Sequence, residues 1–176
     1  DSVYRSASPR EVEMELRAQI EKARRFGIDV THLDSHMGTL FGNAEFLKVY
    51  IQMGRSYKLP VMLPSFARSQ LSGFLTDQDV LVDDIRTASV EDYTKGMAEY
   101  YSTVLHDLKP GVTVLIIHTA YDDTEMKAVT IGHPNWGAAW RQADFDFFTG
   151  EKCKQLLKDQ HVRVITWREI RDKLFR

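Results

Sequence analysis

The chain has 176 residues, 43% of them hydrophobic and 27% charged, with a formal net charge of -2. That size and balance suit one globular domain with a real apolar core, or part of a larger one. Scattered basic residues argue against a nucleic-acid partner, and no apolar run is long enough to cross a bilayer, which argues against a membrane.

Asp1-Ser2-Val3-Tyr4-Arg5 has neither the basic opening nor the apolar stretch of a secretory leader. No repeat, linker or low-complexity tract follows, so a single domain over 1–176 is expected. Ser8-Pro9-Arg10-Glu11 predicts a helix start, with Ser8 as N-cap, Pro9 in the first turn and Glu11 closing a capping box. Val12, Leu16, Ile20 and Ala23 then form an apolar stripe that ends near Phe26-Gly27, where Arg24-Arg25 complement the helix dipole.

The stretch from Gly27 to Thr31 reads as entry into a buried strand carrying His32-Leu33-Asp34-Ser35-His36. Alternation would put His32, Asp34 and His36 on one face, with Leu33 and Ser35 on the other. Two imidazoles around a carboxylate suit a divalent cation, since a neutral imidazole binds it and a carboxylate orients a ring. The plainer reading makes one His a hydrogen-bonded core residue, the other solvated, and Asp34 a turn carboxylate. Gly38 permits a tight turn directly afterwards.

A second helix is predicted from Asn43 to Tyr57, then a short buried strand Leu59–Leu63 with Pro60 near its start. The pattern is weak over 64–89, apart from a strand at Val80–Val82 closed by Asp83-Asp84. One helix is expected from Val90 to Leu108, stopped by Lys109-Pro110-Gly111. Val112–Ile117 is the clearest buried strand, and it delivers His118 at its carboxyl end. Asp122 and Asp123 follow in a polar loop, as turn formers or as ligands. Two helices (138–147, 150–159), a strand at Val162–Ile165 and a last helix Trp167–Phe175 capped by Thr166 complete the chain. Cys153 is the lone cysteine and reads as structural; one thiol suits either redox compartment. His106 and His161 also read as structural, while the loop His133-Pro134-Asn135-Trp136 offers an aromatic to a sugar face or to the core.

Strands alternating with helices predict an α/β fold with a parallel sheet or a (β/α) barrel. In such folds reactive groups gather at the carboxyl ends of strands, where both His36 and His118 are placed. A metal held by His36 and partners would activate water or polarise a carbonyl, with His118 giving a proton to a leaving amine. Hydrolysis of an amide or ester follows as the reaction class. Histidine with carboxylate suits zinc, and oxygen-richer surroundings suit magnesium.

Four segments carry a family resemblance. Glu11-Val12-Glu13 through Arg17-Ala18-Gln19-Ile20, then Thr31-His32-Leu33-Asp34-Ser35-His36-Met37-Gly38, then Ile116-Ile117-His118-Thr119-Ala120, then Trp140-Arg141-Gln142-Ala143-Asp144-Phe145 resemble, in order, the YdjC-like carbohydrate deacetylases. The resemblance implies a (β/α) barrel of the deacetylase type that removes N-acetyl groups from amino sugars or chitooligosaccharides with a divalent metal. It implies a metal ligand in His36 supported by His32 and Asp34, an acid in His118, and in Arg141 a residue that holds a carboxylate or the substrate. The family's N-terminal Asp-Asp motif and its Gly-x-His-Leu ligand segment have no counterpart here, because Asp83-Asp84 and Asp122-Asp123 are misplaced. The resemblance therefore implies the carboxyl-terminal portion of the barrel, with the N-terminal third absent. The site and the open sheet edge would be completed by that segment or by a second copy in a homo-oligomer. Two other classes fit the same residues: a metallohydrolase of another amide, ester or phosphoester, and a non-catalytic sugar-binding domain.

Overall fold

A computed structural model describes residues 2–133 and 135–175; Asp1 and Pro134, named above, lie outside them. In chain order the helices are α1 (Ser2–Ser6), α2 (Pro9–Arg25), α3 (Ala44–Tyr57), α4 (Ala67–Gln70), α5 (Val90–Lys95), α6 (Met97–His106), α7 (Thr124–Val129), α8 (Ala138–Thr149), α9 (Glu151–Asp159) and α10 (Trp167–Phe175). The strands are β1 (Leu63–Pro64), β2 (Leu81–Val82), β3 (Asp84–Thr87) and β4 (Thr113–Ile116), and a 3-10 segment runs from His36 to Gly42. The fold is mixed α/β, and both strand pairs, β1 with β2 and β3 with β4, are parallel. No described helix is long and apolar enough to cross a membrane.

The chain divides into two compact units. One holds the residues up to Val82 together with those from Ile165 onward; the other holds Asp83–Val164. In the first unit α2 begins as its sequence dictates: the Ser8 hydroxyl accepts the Glu11 N–H while the Glu11 carboxylate accepts the Ser8 N–H. Its other end closes through Gly27 (φ 76°), with Ile28 N–H bonded to Ala23 O and Gly27 N–H to Arg24 O. Asn43 caps α3 through its side-chain oxygen. Phe46, Leu47, Tyr50, Ile51 and Met53 of α3 then form the centre of an apolar core with Val12, Ile20, Val61 and Leu63. The second unit has its own core of Tyr101, Leu105, Trp140, Phe147 and Cys153. Burial pushes the Cys153 thiol above its ordinary range, in keeping with a packing role.

Several expectations are corrected. The strand predicted at 32–36 reduces to one parallel bridge, Leu33 with Val61, because His36 already opens the 3-10 segment. The helix predicted from Val90 to Leu108 is two helices. Gly96 (φ 118°) separates them, its N–H closing α5 onto Asp92 O and Tyr93 O. Asp84 does not end a strand; with Ile85, Arg86 and Thr87 it pairs along β4. Val162–Ile165 forms no strand, and Val164 is largely exposed. His161 (φ 53°) and Val162 instead close α9, through His161 N–H to Lys158 O and Val162 N–H to Leu157 O. Helices α1 and α7 were not anticipated; α7 starts on Asp123, whose carboxylate accepts the Met126 N–H.

Candidate functional site

In the first unit the segment 31–36 is held from both sides of its backbone. Leu33 N–H donates to Pro60 O and Leu33 O accepts from Met62 N–H, which makes the parallel bridge. The Tyr50 hydroxyl, buried on α3, donates to Leu33 O at 2.6 Å. Burial, then the charge of Asp34, pushes this phenol well above its ordinary range, so it stays a donor. Leu33 packs against the core and Ser35 is buried, while Asp34 and His36 are exposed and His32 is half-buried. The alternation expected from a strand thus holds only over Asp34, Ser35 and His36, since His32 is half-buried like Leu33.

Ser35 then turns the chain. Its carbonyl accepts Gly38 N–H and its hydroxyl accepts Leu40 N–H. Met37 and Gly38 are both left-handed (φ 55° and 66°), so the tight turn expected at Gly38 is present and begins one residue earlier. His36 is presented to solvent at the start of this turn.

His32 is committed elsewhere. Its ring stacks on Trp167, with centroids 4.7 Å apart and planes 6° from parallel, and its Nδ1 lies 3.0 Å from the Thr31 hydroxyl. Burial holds this imidazole below its ordinary range, opposed by the negative charge of Asp34. Helix α10 also reaches the preceding residues, since Arg168 and Arg171 both pair with Asp29 and Arg171 donates to Val30 O.

The candidates from the second half of the chain lie in the second unit. His118 is half-buried, two residues past β4, and helix α8 holds the loop that carries it. The His118 N–H donates to the Asp144 carboxylate at 2.9 Å, Ala120 N–H to Arg141 O, and Asp122 N–H to the Gln142 side chain. Asp144 is only 1% exposed, and its other oxygen accepts the Tyr101 hydroxyl at 2.6 Å. Arg141 points its Nε at Trp136 O, 2.8 Å away. Asp122 forms an ion pair with Lys127, and Asp123 is the cap of α7.

Sequence reasoning passed over Trp167, Asp29, Tyr101 and Asp144. Asp144 had a signal, because an acid falls between Trp140 and Phe147 on the buried stripe of α8, and a buried carboxylate must have donors. Trp167 had none; only tertiary structure brings it to His32.

A divalent metal needs three or more donors converging. Among the described residues no three His, Cys, Asp or Glu side chains are grouped to hold one. With the His32 ring stacked on Trp167, His36 and Asp34 remain as exposed donors on their segment. The described residues do not by themselves make up a metal site.

The sequence model of YdjC-like proteins matches residues 1–159. The chain belongs to the YdjC-like family. Its relatives include the carbohydrate deacetylases of Thermus thermophilus and Brevibacillus brevis, each 28% identical to it. These matches take in 99% and 94% of this YdjC-like chain, which spans 65% and 63% of the lengths of those relatives. The crystal structure of an Enterococcus faecalis V583 protein, assigned to cellobiose-phosphate cleavage, superposes with a TM-score of 0.73 at 17% identity, over 95% of this chain and 63% of that one. That likeness supports the α/β fold.

Proposed function

We propose that the chain is part of a metal-dependent hydrolase that removes N-acetyl groups from amino sugars or chitooligosaccharides. The observation that carries this reading is membership of the YdjC-like family, with relatives named carbohydrate deacetylase. Each strand pair, taken by itself, has the parallel pairing that a (β/α) barrel of the deacetylase type uses, and this chain would be the carboxyl-terminal portion of such a barrel, completed by a further segment or a second copy. His36 and Asp34 are this chain's contribution to a zinc or magnesium centre, and His32, fixed on Trp167, keeps their segment in place.

In this reading His118 is the acid. Water adds to the acetyl carbon, the C–N bond breaks, the protonated imidazole gives its proton to the departing amine, and the proton shed by the attacking water passes back to the imidazole, leaving acetic acid, which ionises to acetate, and a free amino sugar. An acid must keep its place while the bond breaks, and the bond from its own N–H to buried Asp144 holds the main chain at that point. Arg141 supports the substrate side through the loop it binds.

The test is acetate release from N-acetylglucosamine oligomers, with zinc or magnesium added, by a protein that carries this chain at the full length of its relatives. Release that falls away in His118→Ala supports the reading. Sugar binding without release, unaffected by a chelator, replaces it with a non-catalytic sugar-binding role. Hydrolysis of simple phosphoesters or other esters instead moves the substrate class.

A further inference from the structure

We infer that Trp136 is an aromatic platform for a pyranose ring, held in place by Arg141. The inference rests on the amino-sugar reading above and adds the residue that would recognise the ring.

Four observations converge on this residue. Trp136 has φ 57°, a left-handed conformation that a bulky side chain adopts only where its surroundings impose it. The imposing group is Arg141, whose Nε donates to the Trp136 carbonyl at 2.8 Å from the first turns of α8. The indole stacks on Trp140, with centroids 5.0 Å apart, and Trp140 in turn stacks on Tyr93 at 4.6 Å with planes 7° from parallel. Trp140 is 1% exposed, whereas Trp136 remains 39% exposed. The buried Trp140 ring thus stacks with half-buried Tyr93 and with Trp136, which opens to water.

Packing alone does not call for this arrangement. Trp140 is already covered by Tyr93 on one side, and covering the other needs no left-handed backbone. Outliers of this kind gather at ligand clamps, where the strain orients a side chain before the ligand arrives. An indole fixed in this way offers a rigid, flat, weakly negative face. The axial C–H groups of a pyranose present the matching flat, weakly positive face, and its hydroxyls stay in water at the ring edge.

The platform is also tied to the candidate acid. The residue whose side chain fixes Trp136 gives its own carbonyl to Ala120 N–H, two residues beyond His118. Tyr121, next in the chain and 61% exposed, lies with its ring 4.8 Å from Phe145, one helical turn after Arg141. Two exposed aromatics and the His118 loop are therefore anchored on one stretch of α8. Arg141 acts through Trp136 and is a positioning residue.

The test uses this chain and tri-N-acetylchitotriose, with binding followed by calorimetry and by tryptophan fluorescence. Wild-type chain should bind with a change in emission. Trp136→Ala should weaken binding about ten-fold. Trp136→Phe, which keeps a flat ring, should bind within about two-fold and lose the emission change, because the indole that meets the sugar is gone. Arg141→Leu should weaken binding while the urea midpoint stays near wild type. A Trp136→Ala chain that binds as well as wild type, or an emission change that persists in Trp136→Phe, overturns the platform and leaves the sugar reading intact. A folded wild-type chain that binds no acetylated sugar overturns the sugar reading and the platform with it.

Discussion

The imidazole of His32 lies flat against the indole of Trp167, the first residue of the last helix. This contact makes His32 a fixed point. The ring that a metal-site reading would release for coordination is packed, and the exposed groups of the same segment are Asp34 and His36. What the segment offers to chemistry therefore depends on residues near the chain's end.

Trp167→Ala should lower stability by about 1–2 kcal/mol, the scale of a half-buried aromatic together with its stacking contact. Main-chain amides at 32–36 should then exchange faster with solvent than in wild type. Trp167→Phe should recover most of both effects. Unchanged exchange in the alanine variant would show that the stack restrains nothing.

Asp29 sets an acid-sensitive step. Hydrogen bonds from Arg171 and then Arg168 hold its carboxyl at about 2, below the ordinary value of 3.8. The folded-state value is depressed, so the stabilisation is complete above the unfolded value and is lost as pH falls from about 4 through about 2. Plotted against pH, the urea midpoint of Asp29→Asn should drop less steeply over that window than that of wild type. Parallel curves would remove Asp29 from the acid response.

Asp144→Ala strands the Tyr101 hydroxyl and the His118 N–H in a buried setting. The expected loss is about 2–4 kcal/mol in urea unfolding, with Tyr101→Phe costing about 1–2 kcal/mol. Asp144→Asn keeps an acceptor for the His118 N–H and should cost less than alanine. If alanine and asparagine prove equal, the acceptor at that position carries no weight.

Gly54→Ala opposes two effects. Within α3, alanine gains about 1 kcal/mol of helix propensity. Its Cβ, however, would sit 2.4 Å from Val61 Cγ1 and 2.8 Å from Leu59 O. Overpacking of this kind costs about 1–3 kcal/mol, so a lower melting temperature is expected. A higher one would mean that the 59–61 segment moves away freely.

In a protein extended to the length of its relatives, where the site is complete, His36→Ala should weaken zinc binding by about ten-fold or more, as measured by calorimetry, while His118→Ala should leave it unchanged. Equal zinc affinity in wild type and His36→Ala would take His36 out of the ligand set.

Helix starts were legible in the sequence because capping is local chemistry. Ser8 with Glu11, Asn43, and Thr166 with Glu169 each satisfy N–H groups within three residues of themselves. Strands were less legible, because a ladder needs a partner that periodicity does not reveal. Val162-Arg163-Val164-Ile165 is three-quarters β-branched apolar yet joins no strand among the described residues, whereas the mostly polar run Asp84-Ile85-Arg86-Thr87 pairs along its length with β4. Gly96 interrupts an otherwise continuous helical pattern because a single left-handed residue outweighs the apolar stripe around it. In the candidate site, the pattern put His32, Asp34 and His36 on one face; Asp34 and His36 are exposed while His32 packs on Trp167, and that stack and the Asp144 bonds join residues far apart in sequence.

The first unit is discontinuous, since residues up to Val82 are completed only by those from Ile165 onward. A ribosome making this chain releases Asp29 and His32 long before Arg168, Arg171 and Trp167, and the whole of Asp83–Val164 emerges in between. That inner stretch can assemble around Tyr101 and Trp140 as it appears, while the earlier stretch waits with its His32 segment unclamped. A chain truncated before Trp167 should therefore be cut by protease around residues 28–36 and protected over Asp83–Val164, a pattern that disappears when residues 165–176 are present.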